Sequence, residues 1–304
     1  MIILVTGGAG FIGSHIVEHF QGKAEVRVLD NLRTGYRSNL EGLDHIFIKG
    51  SITDRTTVRD VVDGVDYVFH LGAMISVPES MEKPTECVDI NATGTLVVLE
   101  EAARANVKKL CLSSSAAIYG DNPTVPKLES MLPEPKSPYA ITKLDGEYYC
   151  DMFRKEGWLN TAAMRYFNVF GPRQDPGSQY AAAVPIFVHR AVKNETITIF
   201  GDGEQTRDFI YVKDIVAANV HLAMNPELNG LYNVAYGGKI TVNDLASKII
   251  SLTGSESAIE YAPERPGDVK HSMASVDRLK ATGFDPGSSF DEGLSKTIEF
   301  FRSG

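Results

Sequence analysis

The chain has 304 residues and a formal net charge of −9, a length that suffices for one large core or two lobes. The acidic balance argues against a general nucleic-acid-binding protein, which would need a basic face. No stretch approaches the 18 uninterrupted apolar residues typical of a membrane span, and the first residues lack the basic region of a signal peptide.

Cysteine and histidine usage bounds the compartment and the metal chemistry. The three cysteines, Cys87, Cys111 and Cys150, are odd in number and widely spaced, which favours a reducing cytoplasm over a disulfide framework. His15 and His19 have the spacing of a metal-binding pair, but no third ligand accompanies them. We therefore predict a cytoplasmic protein without a metal site.

The first half of the chain alternates predicted strands and helices. Strands are predicted, in chain order, at "MIILVTGG", "EVRVLD", "HIFIKG", "DYVFHLGA", "VKKLCLSSS" and "LNTAAMRYFNVFG". Helices are predicted at "IGSHIVEHFQ", "RTTVRDVVDG", "NATGTLVVLEEAARAN" and from near Tyr139 to about residue 156. Repeated strand–helix units predict an α/β fold with a doubly wound parallel sheet of the Rossmann type, which binds ligands at the carboxyl ends of its strands.

From about Gly171 this alternation breaks. The stretch "GPRQDPGSQ" is typical of a loop, and later segments mix short strands with helices such as "TVNDLASKIISLTG" and "SFDEGLSKTIEFFRS". We predict a first domain at residues 1–170, to which the chain returns around 207–235, and a smaller α/β lobe at residues 171–304.

A glycine turn follows the first predicted strand. Gly7, Gly10 and Gly13 form a GxxGxxG pattern between that strand and the first helix, where backbone amides can approach a pyrophosphate. Asp30 ends the next strand, and a carboxylate at that position can bind a ribose 2′-hydroxyl and would repel a 2′-phosphate. The pattern predicts a dinucleotide site that prefers NAD to NADP, although the nearby cation of Arg33 weakens that preference.

The stretch "SPYAITK" places Tyr139 and Lys143 one helical turn apart if a helix begins at Pro138. An ammonium beside a phenol favours the phenolate, so we expect Lys143 to lower the pKa of Tyr139. The pair alone is equally compatible with an ordinary surface contact, and its surroundings must decide.

Taken together, the separated motifs resemble the extended short-chain dehydrogenase/reductases, specifically the nucleotide-sugar epimerases of the UDP-galactose 4-epimerase type. The resemblance covers essentially the whole chain. Beside the glycine turn and "LDN", the motifs that carry it are "HLGA" (70–73), "SSSAAIYG" (113–120), "SPYAITK" (137–143), "RYFNVFGPR" (165–173), "FGDGEQTRDFIYVKD" (200–214) and "RPGD" (265–268).

The resemblance implies a catalytic triad of Ser115, Tyr139 and Lys143. Oxidation of a sugar carbinol requires removal of the hydroxyl proton, which a tyrosinate can accept. Related dehydratases and decarboxylases carry acidic residues just after the corresponding serine or threonine, whereas here Ala116 and Ala117 follow. We therefore expect a 4-epimerase that works through a 4-keto sugar.

The resemblance also implies which residues hold the cofactor NAD. They are Gly7, Gly10, Phe11, Ile12, Gly13, Asp30, Asn31, Thr34, Gly35, Ser51, Ile52, Leu71, Ala73, Ser113, Tyr139, Lys143 and Tyr166. At Ser51 the chain departs from the family, which often has an aspartate there for the adenine contact.

In the same way, residues 1–170 are expected to bind NAD and residues 171–304 to bind UDP-sugar. The expected substrate-binding residues are Ser76, Ser115, Asn168, Val184, Phe200, Arg207, Arg265, Asp268 and Ser272. Arginine suits phosphate because its guanidinium donates two parallel hydrogen bonds. A small side chain at Ser272 leaves room for an N-acetyl group, so we expect UDP-N-acetylglucosamine and UDP-N-acetylgalactosamine as substrates, together with UDP-glucose and UDP-galactose.

The family further implies a homodimer formed through helices near residues 92–105 and 139–156. Two alternatives stay open from the sequence. A UDP-sugar decarboxylase or dehydratase of the same family is disfavoured by Ala116 and Ala117, and a non-catalytic NAD-binding scaffold is disfavoured because such proteins commonly lose the tyrosine and lysine that this chain keeps.

Overall fold

The computed structural model describes residues 1–177, 182–264 and 270–303. The strands are β1 Ile2–Thr6, β2 Glu25–Asp30, β3 Ile46–Lys49, β4 Tyr67–His70, β5 Lys109–Ser115, β6 Thr161–Tyr166, β7 Asn168–Phe170, β8 Ile197–Phe200, β9 Thr206–Arg207, β10 Phe209–Tyr211, β11 Gly230–Val234, β12 Ile240–Thr241 and β13 Ile259–Ala262. The α-helices are α1 Phe11–His19, α2 Arg55–Val62, α3 Val77–Glu82, α4 Pro84–Val88, α5 Gly94–Arg104, α6 Pro138–Lys155, α7 Ala183–Val192, α8 Val212–Met224, α9 Val242–Thr253, α10 Asp277–Lys280 and α11 Phe290–Ser303. A π-helical turn spans Asp89–Thr93, and 3₁₀ turns span Arg37–Leu40 and Ala116–Tyr119.

The main sheet of the described residues has seven strands in the order β3-β2-β1-β4-β5-β6-β11. The five pairings from β3 through β6 are all parallel. The central residues of strand β1 are a continuous apolar run and are fully buried, as expected for a parallel sheet covered on both faces. Strand order reverses beside β1, which places the ligand-binding edge at the carboxyl ends of β1, β2 and β4. The predicted fold class is confirmed.

The chain divides into two compact units. Unit 1 comprises residues 1–119, 133–166 and 216–232, and unit 2 comprises residues 120–132, 167–215 and 233–304. The predicted division near residue 170, and the binding role of each part, stay predictions.

Within unit 1, a core cluster joins the sheet to three helices. Buried side chains of α2, α5 and α6, among them Val58, Leu99 and Phe153, pack with strand residues such as Leu4 and Leu110. Helix α6, which carries the Tyr139 and Lys143 pattern, is therefore anchored to the sheet by apolar contacts in its C-terminal part, at Cys150 and Phe153.

Lys109, the first residue of β5, is 1% exposed. Its ammonium donates hydrogen bonds of 2.8 Å to three main-chain carbonyls, those of Leu222, Asn225 and Leu228. These carbonyls lie at and just beyond the end of α8, where helical C=O groups lack intrahelical partners and a cation is favourable. Lys109 thus fastens the end of α8 to the sheet.

Within unit 2, Asp208 organises the short strands. This side chain lies between β9 and β10, is fully buried, and accepts hydrogen bonds from the main-chain N–H groups of Tyr236, Gly237 and Ala274. Burial raises its pKa to about 6, although these N–H donors oppose that rise. Its neighbour Arg207 is consequently held on a fixed backbone.

Among the described residues, no helix is long and apolar enough to cross a membrane. No group of three or more metal-ligating side chains is gathered in that part of the chain. Cys87, Cys111 and Cys150 are buried and form no disulfide.

Candidate active site

The glycine turn after β1 is built so tightly that side chains do not fit at Gly7 and Gly13. Gly7 has a φ of +69°, and a Cβ there would lie 2.8 Å from the nitrogen of Gly72. A Cβ at Gly13 would lie only 2.2 Å from the carbonyl oxygen of Gly7. Gly10 is the N-cap residue of α1 and has no side chain that could cap the first turn. Open main-chain amides at a helix start suit a pyrophosphate, so the turn fits the predicted dinucleotide.

A buried hydrogen-bond chain ties the glycine turn to the end of β4. The Thr6 hydroxyl accepts from the main-chain N–H groups of Leu71 and Gly72 and lies 2.7 Å from Nδ1 of His70. Nε2 of His70 lies 3.0 Å from the Thr95 hydroxyl. Burial lowers the pKa of His70 to about 3, so the ring is neutral and serves as a structural connector between β1, β4 and α5.

Asp30 ends β2 beside the glycine turn. One carboxylate oxygen accepts from the N–H of Ala9 at 3.0 Å, and the other accepts from the N–H of Leu32 at 2.7 Å. Burial raises the pKa of Asp30, while these two bonds oppose the rise. Each oxygen keeps further acceptor capacity, so the carboxylate is oriented and can still take a ribose hydroxyl.

The cation of Arg33 is already matched by two carboxylates. Its guanidinium donates to Glu79 on α3 at 2.8 Å and also to Glu86 on α4. These bonds raise the pKa of Arg33 and lower the pKa values of both glutamates. The residue that weakened the sequence-based preference for NAD therefore has local partners of its own.

The "SPYAITK" stretch forms the first turns of α6, as predicted. Ser137 is the N-cap and accepts from the N–H of Ala140 at 3.2 Å, and Pro138 opens the helix. The Ser115 hydroxyl, at the end of β5, is hydrogen-bonded to the Tyr139 phenol. The Lys143 ammonium donates to the carbonyl of Ser113 at 2.8 Å. The structure thus gathers Ser115, Tyr139 and Lys143 at one end of β5.

Burial dominates the electrostatics of this group. It raises the pKa of Tyr139, and the Ser115 hydrogen bond only partly opposes it. Burial lowers the pKa of Lys143 to about 8, so the amine is mostly protonated at neutral pH. The Lys143 ammonium lies 5.8 Å from the centroid of the Tyr139 ring. The expected lowering of the Tyr139 pKa is therefore wrong for this structure, because desolvation of the phenolate is the dominant effect.

Sequence reasoning missed the residues that hold Tyr139 in place. Asn91, in the π-helical turn, exchanges hydrogen bonds with both main-chain polar groups of Met74 and donates to the Thr142 hydroxyl at 3.1 Å. Thr142 in turn donates to the carbonyl of Tyr139 at 2.9 Å, and the hydroxyl of Ser80 accepts from the Tyr139 N–H. The signal available was Asn91 itself, a polar residue at an otherwise apolar helical position of "NATGTLVV".

The remaining predicted cofactor residues lie in unit 1 around the same sheet edge. Phe11 and Ile12 open α1, Ser51 and Ile52 follow β3, and Leu71 and Ala73 follow β4, while Asn31, Thr34 and Gly35 follow β2. The Ser51 hydroxyl is bonded to that of Thr53 at 2.8 Å. The Tyr166 phenol is bonded to Asn219 and Ser113. Their contacts with NAD stay predictions.

The predicted substrate residues are spread over several parts of the chain. Ser76 caps α3 by accepting from the N–H of Glu79. Val184 is fully buried in α7 of unit 2. Arg265 and Asp268 lie outside the described residues.

Four other predicted substrate residues lie in unit 2. Asn168 donates to the carbonyl of Asp208 at 3.1 Å, and Arg207 donates to the carbonyl of Thr206 at 3.0 Å. The N–H of Ser272 donates to the same Thr206 carbonyl at 3.1 Å. Phe200 ends β8 and is partly exposed. Arg207 and Ser272 are thus brought to one main-chain position, and the binding roles of these residues stay predictions.

Comparison with known proteins places this site in a family. Residues 3–235 match the NAD dependent epimerase/dehydratase family. The structure is similar to UDP-N-acetylglucosamine 4-epimerase from Methanobrevibacter ruminantium M1 in complex with UDP-N-acetylmuramic acid, with a TM-score of 0.96 and 41% identity over 99% of this chain and 98% of that one.

Two further relatives are named for two different reactions, an epimerisation and a decarboxylation. The UDP-glucose 4-epimerase of Thermus thermophilus in complex with NAD superposes with a TM-score of 0.90 and 37% identity, covering 99% of both chains. The UDP-N-acetyl-alpha-D-glucosaminuronate decarboxylase of Bacillus cytotoxicus is 34% identical over 98% of this chain and 97% of its own length. The chain therefore belongs to the NAD-dependent epimerase/dehydratase family, which confirms the resemblance, the enzyme class and the NAD cofactor predicted from its sequence.

Proposed function

We propose that this enzyme is a UDP-hexose 4-epimerase that interconverts UDP-N-acetylglucosamine and UDP-N-acetylgalactosamine, and also UDP-glucose and UDP-galactose, through a 4-keto intermediate. The observation that carries the proposal is the grouping of Ser115, Tyr139 and Lys143 at the end of β5, with Ala116 and Ala117 as the next two residues. Proton-transfer groups for oxidation are present, and acidic side chains are absent from the two positions that follow.

The residues divide the work as follows. Bound NAD would supply the hydride acceptor and donor, held by the glycine turn and Asp30. Tyr139 Oη, as the phenolate that Lys143 and the positive charge of bound NAD would favour, takes the proton of the sugar C4 hydroxyl and later returns it. Ser115 Oγ, hydrogen-bonded to the phenol, lies on that proton's path. Lys143 is mostly protonated at neutral pH because its pKa is about 8, and its charge opposes the desolvation that disfavours the Tyr139 phenolate.

The decarboxylase relative makes a second reaction the natural alternative. A decarboxylation or dehydration needs a further acid or base after oxidation, and neither Ala116 nor Ala117 can transfer a proton. An NMR assay of purified protein against a panel of UDP-sugars separates the two. We expect inversion at C4 of both UDP-hexose pairs without loss of carbon dioxide or water. Conversion of a UDP-uronic acid to a pentose would refute the proposal.

Tyr139→Phe provides the mechanistic test. Removing the phenolic oxygen is expected to lower kcat by about 10³-fold, because general acid–base catalysis typically contributes 10²- to 10⁴-fold. NAD content of the purified variant serves as the control, since the ring and the helix are kept. Unchanged turnover would show that Tyr139 is not the proton acceptor.

Ser272 is proposed to admit the N-acetyl group. Ser272→Tyr should selectively abolish activity on the N-acetylated pair while the UDP-glucose pair is retained. Equal loss of both activities would contradict the proposal that the small side chain of Ser272 admits the N-acetyl group. Ser272→Ala is the matched control, and it should leave both activities in place because the side chain stays small.

We also propose a homodimer in a reducing cytoplasm. Helix α6 exposes three large apolar side chains on one face, Ile141, Tyr148 and Met152, of which Tyr148 is 60% exposed. Such a face favours pairing with a second copy. Light scattering should give twice the chain mass, and Tyr148→Glu should shift it towards one chain. A monomeric wild-type protein would refute this part of the proposal.

A further inference from the structure

A buried ion pair lies directly behind the catalytic group. Glu147 follows Lys143 by one turn of α6, and Arg165 lies on β6. Two nitrogens of the Arg165 guanidinium donate to the two carboxylate oxygens of Glu147 at 2.9 and 2.7 Å. The side chains are 2% and 6% exposed, so the pair is removed from water.

This pair also holds the strand that carries Ser115. The Ser114 hydroxyl donates to Glu147 at 2.5 Å, and Ser114 is the register partner of Arg165 in the β5–β6 pairing. Ser114, the residue before Ser115, is therefore linked both to α6 through Glu147 and to β6 through its pairing with Arg165. Hydrogen bonds to charged groups are stronger than neutral ones, so this link is a firm one.

The segment after Ser115 is fixed by the same guanidinium. Arg165 lies over the Tyr119 ring, with its central carbon 4.7 Å from the ring centroid. Tyr119 closes the 3₁₀ turn that starts immediately after Ser115. The Glu147–Arg165 ion pair thus contacts the chain on both sides of Ser115, at Ser114 and at Tyr119.

Helix α6 and the end of β5 consequently meet at three successive points. Tyr139 bonds to the side chain of Ser115, Lys143 to the carbonyl of Ser113, and Glu147 to the side chain of Ser114. The first two contacts belong to the proposed reaction. The third contact involves no group that needs to touch substrate.

We propose that Glu147 and Arg165 are positioning residues, which set the hydroxyl of Ser115 against the phenol of Tyr139 by clamping the end of β5 onto α6. This inference rests on the proposed function for its kinetic readout. It also has a second readout, the titration of the Tyr139 phenol, which does not depend on turnover.

The charged surroundings determine what that titration reports. The ionisable groups whose charges act on Tyr139 and Lys143 are Cys87 on α4, His70 on β4 and Glu147 on α6. Burial raises the pKa of Cys87 and lowers that of His70 to about 3, so both are uncharged near neutral pH. Burial lowers the pKa of Lys143 and the charge of Glu147 opposes this by raising it, so Glu147→Leu acts on Lys143 as well. A change confined to Ser114 reaches Tyr139 through Ser115, and loss of the Ser115 hydrogen bond raises the pKa of Tyr139 further.

The main test replaces the whole pair by apolar side chains, Glu147→Leu with Arg165→Met. Removal of one partner would leave a buried charge alone, whereas replacement of both often preserves folding. We expect a wild-type melting temperature with kcat lowered about 10- to 100-fold, KM little changed, and the tyrosinate absorbance of Tyr139, measured as the difference from Tyr139→Phe, appearing at higher pH. Wild-type kcat and an unshifted titration in the folded variant would overturn the inference.

Two further variants keep the test decisive. Ser114→Ala removes only the hydroxyl contact and should lower kcat about 3- to 10-fold with the same direction of titration shift; it decides the matter if the double variant does not fold. Asp151→Asn with Arg154→Gln, a half-exposed ion pair one turn further along α6, is the matched control and should change neither readout. If the wild-type protein has no 4-epimerase activity, the proposed function fails, and the titration alone decides on the clamp.

Discussion

Substitution of Gly13 by alanine tests the glycine turn most directly. Alanine normally stabilises a helical position relative to glycine, so helix propensity alone predicts a gain. The added Cβ would lie 2.2 Å from the Gly7 oxygen, about 0.8 Å inside the 3.0 Å that Cβ atoms keep from other atoms. The first turn of α1 must therefore move by close to 1 Å away from the backbone that is predicted to meet the pyrophosphate. Misplacement on this scale can lower a catalytic rate about 100-fold, and we expect a loss of NAD affinity of the same order.

The assay is the NAD content and NAD affinity of the purified variant, by acid extraction and calorimetry. Gly10→Ala provides a graded comparison, because its Cβ would lie 3.1 Å from the same oxygen and needs a shift of only a few tenths of an ångström. Gly22→Ala is the control: with φ at +69° and nothing within 4 Å of its Cβ, it should cost about 1 kcal/mol of stability and leave NAD affinity unchanged. A Gly13→Ala protein that binds NAD as tightly as wild type would refute the reasoning.

Three other outcomes follow from charged side chains. Lys109→Met leaves three main-chain carbonyls without their donor. At roughly 1 kcal/mol for each bond, the free energy of unfolding should fall by about 2 to 3 kcal/mol. A loss below about 0.5 kcal/mol in urea denaturation would contradict the role of Lys109 in fastening α8 to the sheet. Glu79→Gln with Glu86→Gln frees Arg33, and we expect affinity for NADP to rise about 10-fold relative to NAD, with Arg33→Ala in the same background as the control that removes the gain. The folded-state pKa of Lys143 is lowered from 10.5 to about 8, so the unfolded chain binds more protons than the folded one between these pH values. Lys143 therefore makes the free energy of unfolding rise with pH by up to about 1.4 kcal/mol per pH unit in that window. The difference in unfolding free energy between wild type and Lys143→Met, from chemical denaturation, should show this slope, and a flat or falling difference would contradict it.

Local signals made the grouping of the proposed catalytic residues predictable from sequence. The proline and serine before Tyr139 define a helix start, and the spacing to Lys143 is one turn, so their shared face follows from helix geometry alone. Ser115 ends a strand in an alternating α/β pattern, and the carboxyl ends of parallel strands face the ligand edge. The fold class followed from the same alternation, without knowledge of any single side-chain contact.

The supporting contacts were not predictable because they depend on register and packing between distant segments. Glu147 meets Arg165 only because β5 and β6 pair with Ser114 opposite Arg165, and hydrophobic periodicity does not specify that register. The same holds for Asn91, whose partner Thr142 lies on another helix. The pKa of Tyr139 was expected in the wrong direction for a related reason, since the depth of burial that raises it is a property of the packed structure.

The predictable part of the site is concentrated in unit 1 because one topological rule creates it. The glycine turn follows β1, Asp30 ends β2, and Ser115 ends β5, which is separated from β1 by β4 alone. With neighbouring strands about 4.8 Å apart, these strand ends span roughly 15 Å along one edge, a length that suits an extended dinucleotide better than a compact ligand. The predicted substrate residues Arg207 and Ser272 lie in short strands and connections of unit 2 that follow no such rule. The substrate panel and the Ser272→Tyr variant therefore test the predicted roles in unit 2, and Gly13→Ala tests the cofactor edge that strand order predicts.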